Sequence, residues 1–152
     1  MQLDLPVEAI IPVLAAVTRD EVLVELSANV VARYPELDQS EIVRILRERE
    51  QLGSTGIGDG VAIPHGKLRG FRPEPVLVFG RSIKGVDFNS LDARKAHLFF
   101  LMLASETAVD THLRMLARIS RLLKEPSVRK ALLEAADAPA IHAVIAEQER
   151  RC

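Results

Sequence analysis

Apolar residues recur at Val22, Leu23, Leu26, Val30 and Val31, the three-to-four-residue beat of one buried helix face. The predicted helix starts at Thr18-Arg19-Asp20-Glu21, with acids in its first turn, and stops near Tyr34-Pro35. A second helix is predicted from Asp38 or Ser40 to Glu50, with Ile42, Ile45 and Leu46 as its apolar face. Arg49 falls on that same face, whereas Arg44, Arg47 and Glu48 point elsewhere. Val61-Ala62-Ile63 reads as a short strand, Val76 to Phe79 as a longer one, and Gly85 to Phe88 as a short edge strand. Ala96 to Ala104 is almost continuously apolar and reads as a central strand covered on both faces. Periodicity alone leaves a buried helix open for that run. Thr107 to Lys124 is a strong helix, capped by Asp110 or Thr111, with His112, Met115, Leu116, Ile119 and Leu123 as its inner stripe. Two shorter helices follow, Ser127 to Ala135 and Ala138 to Glu149, with Pro126 and Pro139 near their starts. Helices before, between and after strands predict an α/β fold, a sheet with helices on both faces.

Composition narrows the function classes. The 152 residues suit a single domain, with no repeat, low-complexity stretch or linker to divide them. Twenty basic and 21 acidic residues leave a net charge of -1, without the basic stripe of a nucleic-acid binder. The one cysteine, Cys152, builds neither a disulfide framework nor a zinc site, which fits a reducing compartment. The apolar stretch Ala9 to Val17 lacks the basic start of a signal peptide, and no run reaches the roughly 18 apolar residues of a membrane span. The expectation is a soluble, cytoplasmic protein that meets its partners locally.

The segment GSTGIGDGVAIPHGK, residues 53 to 67, holds five glycines in fifteen positions. Gly53 and Gly58 match half of a P-loop, but Asp59-Gly60 stands where Lys and Ser or Thr belong. Pro64 opposes the helix that a phosphate-binding glycine loop needs next. What remains is a side-chain-poor surface around one imidazole, His65. Pro64 fixes its own φ, and Gly66 removes bulk on the other side of the ring. A partner's backbone has room to approach there, and glycine amides can hold an anion. Thr55, Gly56, Gly58 and Gly66 are the candidate phosphate- or partner-binding positions of the block.

Two further residues join His65 as candidates. Arg49 is a charge on an apolar helix face, and His112 opens the apolar stripe of the later helix. Taken singly, each has an ordinary structural explanation, a snorkelling arginine and a hydrogen-bonded core histidine. Together they make two imidazoles and a guanidinium with no evident carboxylate, a set for an anion rather than a metal. Phosphoryl transfer through a phosphohistidine fits. Neutral imidazole keeps a lone pair near pH 7, with an ordinary pKa of about 6.5, and acts as nucleophile. Arg49 then neutralises charge and His112 donates a hydrogen bond to a phosphoryl oxygen. No metal, nucleotide or other cofactor is needed if the donor is itself a phosphohistidine protein.

Residues 47 to 67, REREQLGSTGIGDGVAIPHGK, resemble the active-site block of the bacterial phosphotransferase-system enzyme IIA family. The likeness is to the fructose and mannitol type, and most to its nitrogen-regulatory branch. THLRMLARISRLL, residues 111 to 123, is similar to the family's second histidine segment. The resemblance implies a single domain of the mannitol-type enzyme IIA fold, a mixed β-sheet sandwiched between helical layers. It implies phosphorylation of His65 on Nε2, with His112 and Arg49 beside it. The implied donor is a small histidine-containing phosphocarrier protein, and the acceptor an enzyme IIB or a regulated target. The regulatory role is the first expectation, because no enzyme IIB or membrane part accompanies the domain in this sequence. A sugar-specific enzyme IIA, or a binding module that never turns over, are the alternatives. SETAVDTH, residues 105 to 112, departs from the family in lacking a proline before the helix. His97 and His142 are read as a core or edge residue and a surface residue, and Ile57, Leu68 and Phe71 as core more than docking surface.

Overall fold

The computed structural model describes residues 3–70 and 74–151. Phe71 and Cys152 therefore lie outside the described residues. Among the described residues lie five α-helices, α1 (Arg19–Arg33), α2 (Gln39–Gln51), α3 (Val109–Lys124), α4 (Pro126–Glu134) and α5 (Ala138–Arg151), and six strands, β1 (Ile10–Ile11), β2 (Gly56–Gly58), β3 (Val61–Ala62), β4 (His65–Leu68), β5 (Val76–Val86) and β6 (Ala96–Ser105). The sheet runs β1-β5-β6-β3-β2, and β4 also pairs with β6. It is mixed: β5 and β6 are antiparallel, while β3 and β4 lie parallel to β6.

Local chemistry sets the first two helices. Thr18 Oγ1 accepts from the Glu21 N–H at 3.2 Å, and Glu21 Oε1 accepts from the Thr18 N–H at 3.1 Å. This reciprocal box satisfies two donors that a helix start leaves free. Asp38 Oδ1 caps α2 by accepting from the Ser40 N–H at 3.0 Å. β6 is the central strand, as its composition predicts. Leu98, Phe100 and Met102 face one core with Met115, Ile119, Leu132 and Ile141 from α3, α4 and α5. Phe99, Leu101 and Leu103 face the other with Leu23, Leu26, Ile42 and Leu46 from α1 and α2. Alternation along one buried strand thus feeds two helical layers.

Two expectations change. Gly85 to Phe88 is not a separate edge strand. β5 continues to Val86, where Val86 pairs with Ala96, after a break in the ladder beyond Arg81. The His97 ring packs against this stretch: a Cβ on Gly85 would lie 2.8 Å from it, and Gly85 has φ +84°. Such a backbone suits glycine. α3 begins at Val109 after Ala108, with no side-chain cap, so Asp110 and Thr111 lie inside the first turn. The preceding turn, without its proline, is closed by the Ala108 N–H on the Ser105 carbonyl at 3.1 Å. Finally, β1, β2 and β4 are strands in segments that carry no clean period-two pattern.

Candidate functional site

His65 is the first residue of β4 and pairs with Met102, while the Met102 N–H donates to the Pro64 carbonyl at 3.0 Å. Backbone on both sides of the ring is thereby fixed to the central strand. His65 Nδ1 lies 2.8 Å from the Ile63 carbonyl. A carbonyl only accepts, so the proton sits on Nδ1 and the lone pair on Nε2. Arg49, near the end of α2, donates from Nε to that Nε2 at 3.3 Å and from Nη1 to the Gly53 carbonyl at 2.8 Å. His112 comes from α3, on the opposite layer. Its ring meets the His65 ring edge to face, with centroids 5.5 Å apart and planes at 66°. The three side chains singled out in the sequence therefore converge, one from each helical layer and one from the sheet.

Electrostatics favour neutral rings. Burial pulls the His65 pKa below the usual imidazole value, and nearby Arg49 and Lys67 add to this. The Nδ1 bond to Ile63 and the charge of Glu50 oppose the shift. His112, only 6% exposed, is lowered to about 4, first by burial and then by His65 and Lys67. Its Nδ1 has no hydrogen-bond partner among the described residues. A cleft of about 980 Å³ opens over both rings, with Arg49, Gly66, Lys67 and Leu52 in its wall. Arg44, also in the wall, is engaged by Glu41 at 2.7 Å and Glu48 at 2.9 Å. The site thus offers a neutral nucleophile with a free lone pair, a guanidinium beside it and a second imidazole in the same cleft. That combination accepts an oxyanion.

The glycine block divides. Gly66 lies in the cleft wall, and a Cβ there would stand 2.6 Å from Ile45 Cγ2 of α2. It lets the helix that carries Arg49 pack close to the strand that carries His65. Thr55, Gly56 and Gly58 do not line the cleft. Gly56 packs on Ser90 and Gly58 on Asp92. Thr55 is buried and gives both its N–H, at 3.1 Å, and its hydroxyl to the carboxylate of Glu50.

Glu50 is the residue that sequence reasoning passed over when it found no carboxylate in the constellation. Its signal was available: it stands four residues after Leu46 and eight after Ile42, on the buried face of α2. His97 is half-buried and donates from Nδ1 to the Ser82 carbonyl at 3.0 Å, and His142 is half-buried on α5. Leu68 is core, whereas Ile57 is exposed.

Among the described residues, no group of three or more His, Cys, Asp or Glu side chains is placed to hold a metal ion, and no helix is long and apolar enough to cross a membrane. The family described as phosphoenolpyruvate-dependent sugar phosphotransferase system, EIIA 2, matches residues 5–148. A nitrogen regulatory protein of Bradyrhizobium diazoefficiens is 41% identical over 142 residues, covering 91% of this chain and 90% of that one. The crystal structure of the nitrogen regulatory protein IIA-Ntr from Neisseria meningitidis superposes with a TM-score of 0.85 at 28% identity, over 92% of this chain and 94% of that one. Enzyme IIAMTL of Escherichia coli, solved in complex with phosphorylated enzyme IIBMTL, shares the fold with a TM-score of 0.78 at 21% identity, over 95% and 98% of the two chains.

Proposed function

This chain belongs to the phosphotransferase-system EIIA 2 family, and from that premise we propose that it is a phosphocarrier whose His65 Nε2 accepts a phosphoryl group from a phosphohistidine donor protein. The observation that carries the reading is the Nδ1–H bond to Ile63 at 2.8 Å, which leaves the lone pair on the nitrogen that faces Arg49. The Nε2 lone pair bonds to phosphorus while the donor's P–N bond breaks and its electron pair returns to the donor imidazole. The Nδ1 proton stays where it is, and its bond to the carbonyl disperses the positive charge that grows on the ring. Arg49 turns its guanidinium from Nε2 to the phosphoryl oxygens. His112 donates to another of them. Positioning and charge neutralisation are the main requirements of phosphoryl transfer.

The role we propose is regulatory, with the phosphorylation state of His65 read by partner proteins. The long match to a nitrogen regulatory protein, at 41% identity, supports it. Transfer to an enzyme IIB is the alternative fate of the group. Leu52, 85% exposed beside the cleft, and Val109 and Leu113, exposed next to His112 on α3, give a visiting protein apolar surface around the rings.

The test is incubation with a phosphorylated histidine phosphocarrier, followed by site mapping. Acid-labile label on the wild type and none on His65→Ala is the expected result. Full label on His65→Ala would reject the site, and binding of donor without any label would leave a binding module. Subsequent loss of label to an enzyme IIB would favour the sugar-uptake alternative.

A further inference from the structure

Glu50 is an acid where acids seldom lie: on the inner face of α2, 6% exposed, one residue after Arg49. Both of its oxygens accept from Thr55, one from the N–H and one from the hydroxyl. Both carboxyl oxygens of this buried side chain are thus occupied by one residue across the turn. The turn between these residues is gripped twice. Glu50 holds Thr55, and Arg49 Nη1 holds the Gly53 carbonyl at 2.8 Å. The Gly53 N–H closes the turn on the Glu50 carbonyl at 3.2 Å. Glu50 does not line the cleft, so its charge stands behind the site rather than in it.

We infer that Glu50 is a positioning residue of the site: by pinning Thr55 it holds the turn that aims Arg49 at His65, and its buried charge keeps a bound phosphoryl group transferable. The second half rests on the phosphocarrier reading of His65. A phosphoryl group brings about 1.5 to 2 negative charges. A pocket that offered it only cations would bind it well and release it poorly. The charged and titratable groups set directly around His65 are Arg49 and Glu50 from α2, Lys67 from β4 and His112 from α3, and the cleft wall beyond them carries Glu41, Arg44 and Glu48 of α2 with Arg69 and Glu106. Glu50 is the acid of the inner set, and there it offsets the two cations Arg49 and Lys67.

Three variants of the full chain separate charge from packing: Glu50→Gln, Glu50→Asp and Thr55→Val. Two quantities are read. One is the titration midpoint of the His65 ring, followed by NMR without any phosphate. The other is the equilibrium distribution of label between chain and phosphocarrier. Glu50→Gln is expected to move the midpoint downward, and to shift the distribution toward the chain by about three- to tenfold, the span that a change of up to one pK unit in local charge balance produces. Glu50→Asp restores both. Thr55→Val keeps the charge, so it slows transfer while leaving the distribution within about twofold. An unmoved midpoint and distribution in Glu50→Gln would overturn the inference, as would failure of Glu50→Asp to restore them. If Glu50→Gln does not fold, a wild-type transfer rate in Thr55→Val overturns the pinning role. A wild-type chain that never takes label, but whose His65 midpoint responds to Glu50→Gln, rejects the phosphocarrier reading and retains the assignment of the charge.

Discussion

Arg49 donates from Nε to His65 Nε2 at 3.3 Å while its Nη1 stays on the Gly53 carbonyl. One guanidinium therefore bridges the end of α2 and the free nitrogen of the ring, and the fork geometry of arginine is what allows both contacts. Lysine has a single terminal nitrogen and cannot span them. Arg49→Lys is expected to slow phosphoryl transfer about 100-fold, toward the lower end of the effect of losing one donor to a developing charge. Single-turnover labelling from the phosphorylated phosphocarrier measures this, and a wild-type rate would remove Arg49 from the site.

His112 supports the transfer and is not the nucleophile. His112→Ala is therefore expected to retain label on His65 while taking it up more slowly, by a smaller factor than Arg49→Lys. Label lost altogether, or uptake at the wild-type rate, contradicts that role.

The same residue sets a pH dependence of stability. Its folded pKa, about 4, lies below the ordinary value of 6.5. The unfolded chain therefore binds more protons than the folded one between these limits, and stability rises with pH across that window. It is lost as pH falls from 6.5 through 4, by up to about 3 kcal/mol if the whole shift is expressed. Urea unfolding from pH 7.5 to 4 should show this loss in the wild type and a smaller one in His112→Gln. Parallel profiles would mean that other groups dominate.

Gly66→Ala places a methyl 2.6 Å from Ile45 Cγ2, on a β-branched side chain that turns little. Overpacking of this kind costs about 1–3 kcal/mol, and relief requires α2 to move away from β4. Since α2 carries Arg49, transfer should slow along with the loss of stability. The double variant Gly66→Ala/Ile45→Ala should regain part of both. No recovery would show that the glycine serves the site in another way.

Arg81 offers a control away from the chemistry. It is buried on β5 and donates to three carbonyls, Pro12 at 2.9 Å, Leu132 at 2.9 Å and Ala135 at 2.6 Å. It stitches the N-terminal segment to the end of α4. Arg81→Met strands these acceptors and is expected to cost about 1–3 kcal/mol, read as a lower urea midpoint, with the labelling rate at 25 °C unchanged. A slowed rate at full folding would tie this stitch to the site.

Much of the fold was legible where local chemistry decides it. Thr18, Glu21 and Asp38 announce their helices because a cap acts within one turn. Ala96 to Ala104 announces a central strand because both faces are covered. The three residues of the cleft were also legible, through their odd placement on apolar faces and through the resemblance of the block around them. β2 and β4 were hidden, since strands built from Gly-Ile-Gly and His-Gly-Lys-Leu take their order from the partners they pair with. Thr55 stood as a phosphate- or partner-binding candidate because it belongs to the glycine block whose amides can meet an anion. Only the fold shows that Glu50 has already taken the Thr55 hydroxyl.

By itself the sequence determined the secondary elements with strong periods, the two imidazoles and the guanidinium, and the bareness of the backbone beside His65. These follow from forces that act within a few residues: capping, side-chain period and the steric freedom of glycine. The tertiary structure decided which nitrogen of His65 is free, that His112 approaches from the layer opposite Arg49, and that a buried carboxylate stands behind them. Those depend on distances between segments far apart in the chain. They are set by how two helical layers close on one sheet, and no local pattern records that.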